Sequence, residues 1–292
     1  MRQSTQAISV LFCVTILWGL TFPLIKNAVH DIHPSAFVTL RLALAALVML
    51  PFVFTRLRKL TASLLVAGLI LGFLNGMIYI TQSIGLETTS SANSAFITAL
   101  NVIFVPLLSP LFQTGRIKSW DIVAILLALL GIFVLTGGNL SYITRGDFWT
   151  LGCALSYALF IVFLQRITQQ TVDVLLLVFL QIVLAIPLPL SMAVYTHSHF
   201  VLDHTVWIAL VFCAVFATCL TFYLQSTFQR YTTATKAALI YIAEPLFATI
   251  FAFFLNGEAI TYYTLLGGML ILSGFVVSEL LPKLKYTRQT TL

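Results

Sequence analysis

Charge is what this sequence has least of. Only 8% of its 292 residues are Asp, Glu, Lys or Arg, against 60% hydrophobic, and the mean hydropathy is +1.04. Water cannot be the solvent for most of such a surface, so a soluble fold is excluded. Acidic residues are scarcer than basic ones, nine against fifteen, for a net charge of +6. The basic residues stand in short clusters beside apolar runs and build no folded basic face, so no nucleic-acid partner is expected. Cysteine is also sparse. Cys13, Cys153, Cys213 and Cys219 lie within apolar runs, without the paired spacing of a zinc site or a loop position suited to a disulfide, and read as small packing residues. No His, Cys, Asp and Glu group at useful spacing occurs in the apolar runs, which argues against an enzyme; neither a metal nor a cofactor is expected. His197, His199 and His204 read as part of a solvated polar loop.

What the chain has in quantity is apolar runs of membrane-spanning length, which need roughly 20 residues each. They predict an all-α membrane protein with ten transmembrane helices, at 7–27, 35–54, 63–84, 90–112, 120–137, 147–166, 173–195, 204–227, 233–255 and 260–281. The first run continues through Trp18, Phe22 and Pro23 without a small-residue cleavage site, and is read as a retained span. With both termini cytoplasmic, the inner segments hold Arg2, Arg56, Arg58, Lys59, Arg116, Lys118, Arg166, Arg230, Lys283, Lys285 and Arg288, eleven of the fifteen Lys and Arg. The outer side holds Lys26 and Arg145, and this bias sets the orientation by the positive-inside rule.

An internal repeat agrees with that count. Thr89–Val134 aligns without a gap on Thr232–Val277 at a constant offset of 143, pairing Ala95 with Ala238, Phe104 with Phe247 and Gly131 with Gly274. Five helices is an odd number, so a second copy enters the membrane from the opposite side. The repeats are therefore inverted, residues 1–140 and 141–292, with a substrate site expected near mid-membrane between them.

Several residues are candidates for that site. Trp18 flanks a weak point at Gly19 and Pro23, either a bending helix with cavity-lining aromatics or a fixed kink, and Lys26 nearby either snorkels outward or serves as a ligand. Arg41, about two turns into the second span, either pins a neighbouring helix or anchors a substrate carboxylate or phosphate. In the third span, Gly68, Gly72 and Gly76 form a packing stripe. The adjacent face carries Asn75, Tyr79 and Gln82, which suggests a wet cavity or interhelical hydrogen bonds. Ser94, Thr98 and Asn101 repeat the spacing in the fourth span. Asn101 falls on Glu244 and Asn93 on Lys236 in the repeat register, which points to a site between the fourth and ninth spans. At an offset of 139, Tyr157 falls opposite Trp18, and Gln181 occupies a place comparable to Arg41. Lys236 and Glu244 are about 12 Å apart along a helix, too far for a direct ion pair. Glu244 precedes Pro245, and its protonation coupled to transport is one reading; a hydrogen bond to the bent helix is the other. Glu258 is expected to cap the start of the tenth span.

LWGLTFPLIK, FVTLRLALAALVMLP, LETTSSANSAFITALNVIFVPLL and IAEPLFATIFAFFLNGEAITYYTLLGGMLILSGFVV together resemble the EamA-like group of the drug/metabolite transporter superfamily, across essentially the whole chain. The resemblance implies ten helices in two inverted repeats, cytoplasmic termini, and secondary transport of small metabolites, frequently export of amino acids. Gly115 departs from the pattern, standing where the Glu matching Glu258 would be, and Lys236 stands where a small or polar residue is expected. The expected protein is an alternating-access transporter of a small polar or zwitterionic metabolite in the bacterial inner membrane. Its partners are membrane lipid and a proton or other coupling ion. Trp18, Arg41, Asn75, Tyr79, Asn101, Tyr157, Lys236 and Glu244 are the expected substrate-binding residues. An antiporter of organic phosphates or nucleotide conjugates, a passive channel and a membrane-embedded enzyme are the alternatives.

Overall fold

The computed structural model describes residues 2–112, 119–135, 143–170, 172–197 and 202–279, and those residues form helices without a β-strand. In chain order they are α1 (Arg2–Ala28), α2 (Pro34–Val53), α3 (Ala62–Thr88), α4 (Ser91–Thr98), α5 (Asn101–Phe112), α6 (Ser119–Leu135) and α7 (Arg145–Thr168). Then follow α8 (Val174–Val183), α9 (Pro187–Tyr195), α10 (His204–Val211), α11 (Thr221–Phe228), α12 (Ala234–Tyr241), α13 (Glu244–Asn256) and α14 (Tyr262–Glu279). Seven stretches are long and apolar enough to cross a bilayer: Gln6–Ala28, Pro34–Lys59, Ala62–Thr88, Ser91–Leu108, Arg145–Thr168, Val174–Tyr195 and His204–Tyr231. Glu244–Asn256 and Tyr262–Gly274 are apolar but shorter. Large apolar side chains such as Phe52, Phe73, Leu126 and Phe254 face outward. The chain is a multi-pass membrane protein.

Helix entries follow a common local rule. Thr61, Ser90, Thr144, Asp173, Asp203 and Thr261 each accept a hydrogen bond from the backbone N–H three residues on, and Asp147 returns the bond to Thr144 in a capping box. Such caps satisfy donors that neither the helix nor lipid can satisfy.

The predicted spans at 90–112, 173–195, 204–227 and 233–255 are each interrupted. Pro187 starts α9 after the break at 184–186, and a Pro at the first helical position has no N–H to lose. Between α10 and α11 the chain widens into a π-helix over Phe212–Leu220, where Thr218 Oγ1 donates to Cys213 O, five residues back. The breaks at 99–100 and 242–243 lie 143 residues apart, the offset of the predicted repeat. Pro245 lacks the N–H that would bond Tyr241 O, so sequence chemistry forces the second break.

Close approach of backbones sets the packing. The Gly68, Gly72 and Gly76 stripe admits Leu180, Leu184 and Ala185 of α8 and its C-terminal turn, as expected for small residues at a membrane helix interface. Gly131 of α6 meets Gly267 of α14. α1 runs unbroken through Gly19, where an added Cβ would stand 2.6 Å from Phe247 Cβ; this glycine is explained by contact with α13.

Candidate functional site

The centre of the bundle holds a small cavity of about 40 Å³. α1 contributes Trp18 and Thr21, α2 Arg41, α3 Asn75, Tyr79 and Gln82, α4 Thr98, α7 Tyr157 and Phe160, α11 Phe222, and α13 Glu244. Six of the predicted site residues, Trp18, Arg41, Asn75, Tyr79, Tyr157 and Glu244, thus share one lining.

Its walls are aromatic. Trp18 meets Tyr157 and Tyr241 edge-on at centroid distances of 5.8 and 5.4 Å, and Tyr79 stacks on Phe222 at 5.8 Å. The π-helix organises the polar side of this wall. Ala217 O accepts hydrogen bonds from Trp18 Nε1 (3.3 Å) and Arg41 Nη2 (3.3 Å), while Thr218 Oγ1 accepts from Arg41 Nε (2.9 Å). The Arg41 guanidinium lies 3.8 Å over the Tyr79 ring, in cation–π geometry. Arg41 therefore pins a neighbouring helix and does not snorkel, yet its Nη1 has no acceptor.

Other polar groups on this lining are also unpaired. Both amide atoms of Asn75 and Tyr157 Oη are buried without a partner, whereas Thr98 meets the Cys153 thiol. Glu244 opens α13 at the break, where the helix N-terminus favours its negative charge. Buried polar atoms in membrane proteins are rarely left unbonded unless they serve a site or meet water.

Two predicted residues stand apart. Asn101 is buried, but its amide turns back to Thr98 O at 2.7 Å, bonding a carbonyl at the helix break, and it does not line the cavity. The Lys236 side chain and His199 lie outside the described residues, as does Gly115. Sequence reasoning passed over Thr21, Phe160, Phe222 and Thr218. The signal for two of them was present: extending the offset of 143 into α3 pairs Asn75 with Thr218, Tyr79 with Phe222 and Gln82 with Gln225.

At one end of the bundle, Lys26 Nζ donates to Thr89 O (2.6 Å) and Leu86 O (3.4 Å). Asn27 bonds Asn256 (2.9 Å), and Thr89 Oγ1 donates to Asp147. Glu258 does not cap α14, whose N-terminus is served by Thr261; its carboxylate accepts the N–H groups of Ser91 (3.0 Å) and Ala92 (3.4 Å) at the start of α4. At the other end Arg56 pairs with Asp173 at 2.9 Å. Partial burial works against Asp173 ionisation, but the Arg56 guanidinium and the Leu176 N–H outweigh it and hold the carboxyl below its usual value. Among the described residues no three His, Cys, Asp or Glu gather as a metal site.

Comparison with known proteins places this arrangement. A family model described as the EamA-like transporter family matches residues 5–137 and again 144–279. An uncharacterized transporter of Archaeoglobus fulgidus is 31% identical over 270 residues, covering 92% of this chain and 84% of that protein. A Salmonella typhimurium protein named a probable amino-acid metabolite efflux pump is 26% identical, covering 91% and 92%. The uncharacterized inner membrane transporter YedA of Escherichia coli K12 is 29% identical over 57% of this chain and 56% of its own length. A solved structure titled only as a crystal structure of protein shares the fold, with a TM-score of 0.68 at 18% identity and coverage of 95% and 97%. The chain belongs to the EamA-like transporter family.

Proposed function

We propose that this transporter moves a small polar or zwitterionic, amino-acid-like metabolite by alternating access, as a secondary active exporter of a bacterial inner membrane. In this reading the chain forms ten spans in two inverted five-helix repeats, 1–140 and 141–292, with cytoplasmic termini. The two aligned helix breaks support the repeat, as do the contacts between its equivalent residues. Trp18 touches Tyr157 edge-on and Tyr79 stacks on Phe222, and such pairs come into contact where an in-plane pseudo-two-fold axis passes between the halves. The efflux-pump name of the Salmonella relative suggests the direction and the cargo class.

The observation that carries the reading is the set of unpaired buried groups on Arg41, Asn75 and Tyr157, on an aromatic-walled cavity that also holds Glu244. Unpaired buried donors and acceptors prefer a solute that supplies their partners. Glu244 is the residue through which a coupling proton would act. Purified protein in liposomes should show counterflow: unlabelled amino acid trapped inside drives transient uptake of the labelled one. A channel gives no counterflow. Exchange of organic phosphates in its place would favour the phosphate antiporter.

A further inference from the structure

Arg41 carries a full charge at 1% exposure on α2, and among the described residues no carboxylate lies within ion-pair distance of it. A guanidinium held this way in a membrane protein is costly, so its retention calls for a use. A structural use is already covered by other groups. Ala217 O has a second donor in Trp18 Nε1, and Thr218 Oγ1 has Cys213 O and Tyr79 Oη (3.3 Å) as further partners, so neither would be orphaned without Arg41. Satisfying these two acceptors therefore needs no cation at this place.

The guanidinium is also oriented. Tyr79 covers one of its faces, and Nε is taken by Thr218. Nη2 spends one hydrogen on Ala217 O, and Nη1 spends none. The free edge is thus Nη1 with the second Nη2 hydrogen, two parallel donors in the fork that a carboxylate accepts with both oxygens. Arg41 lines the same cavity as Glu244, so a solute bound at this edge sits in the chamber already described.

We propose that Arg41 is the specificity-determining residue of this carrier, reading a carboxylate of the solute through its Nη1–Nη2 edge, with Tyr79 and Thr218 holding the fork in register. This rests on the transport reading above. The carrier then selects an acid over the amide or amine of otherwise equal shape. A phosphate dianion leaves charge that one guanidinium does not neutralise, so phosphate esters rank below carboxylates.

The test uses full-length protein in proteoliposomes and measures counterflow of the proteinogenic amino acids, their carboxamides, their decarboxylated amines, and a set of sugar phosphates. For the best amino acid, the wild type should exchange the acid at least about tenfold faster than its amide or amine, the scale of one charge-assisted pair. In Arg41→Gln that ratio should fall to about one, and Arg41→Lys should recover part of it, because a point charge remains but the fork is gone. Equal exchange of acid and amide by the wild type overturns the role of Arg41 and leaves the transport reading standing. So does a wild-type ratio in Arg41→Gln. Preference for sugar phosphates also overturns it, and exchange of nothing in the panel removes both readings. Should Arg41→Gln not fold, Arg41→Lys decides: a ratio reduced at least threefold supports the proposal and an unchanged ratio overturns it.

Discussion

The two ends of the bundle are fastened differently. At the Glu258 end, three sets of hydrogen bonds join the first stretch matched by the family model to the second: Glu258 on the α4 N-terminus, Asn27 on Asn256, and Thr89 on Asp147. Lys26 adds its own bonds to Thr89 O and Leu86 O beside the Glu258 charge. At the Arg56 end, the ion pair of Arg56 with Asp173 has a guanidinium that is 44% exposed. Partly buried charge-assisted bonds hold better than an exposed pair, which solvent and salt screen. The difference teaches that the bundle is tied more firmly at the Glu258 end than at the Arg56 end.

The largest effect should come from wedging the seam that continues inward from the Glu258 end. Asn256 Nδ2 reaches Pro23 O there (3.4 Å), and Gly19 lies against Phe247 one turn further along α1. Gly19→Val should destabilise by about 1–3 kcal/mol, the usual cost of overpacking, and thermal unfolding in detergent reads it. Unchanged melting would mean that α1 and α13 are not in the contact described.

Glu258→Ala comes next. It leaves two N–H groups of α4 without their acceptor, and should cost about 0.5–2 kcal/mol, the range for a lost helix cap. The same variant should raise labelling of a cysteine placed at Thr98, read by maleimide modification from the Glu258 side. Labelling that rises only from the Arg56 side would reverse the comparison.

Asp173→Asn should matter least, by under about 1 kcal/mol, because its partner is exposed. Its effect should depend on pH. The folded-state value lies below the unfolded one near 3.8, so the pair contributes fully above that value and its contribution fades as pH falls through the lowered folded value. Wild type and Asp173→Asn should therefore converge in stability toward acid. A gap that persists well below pH 3.8 would show that the carboxylate charge is not the source.

Much of this was legible in the sequence because membrane helices advertise themselves by length, composition and periodicity. The face of α3 that carries Asn75, Tyr79 and Gln82 does turn to the cavity, one of the two readings its spacing of four and three left open, and Tyr79 also makes the interhelical bond of the other. The offsets that set Trp18 opposite Tyr157 describe residues that touch. What periodicity could not supply was any fact owned by a second helix. Glu258 sits where its own helix begins, and nothing in NGEAI tells that α4 takes its carboxylate. Asn101 shares the register of Glu244, but a short side chain at a break satisfies the nearest carbonyl first. The break at 99–100 has no proline or glycine to announce it, in contrast with Pro245 at its counterpart. The π-helix that presents Ala217 O to both Trp18 and Arg41 leaves no compositional mark at all.

The central claim is that the polar cavity around Glu244 carries a solute across the membrane. Counterflow of labelled amino acid in liposomes, wild type beside Glu244→Ala, tests it most directly. The account predicts counterflow in the wild type, and in the variant a rate at least about tenfold lower, the scale of one lost charged contact. Counterflow at the wild-type rate in Glu244→Ala would contradict it.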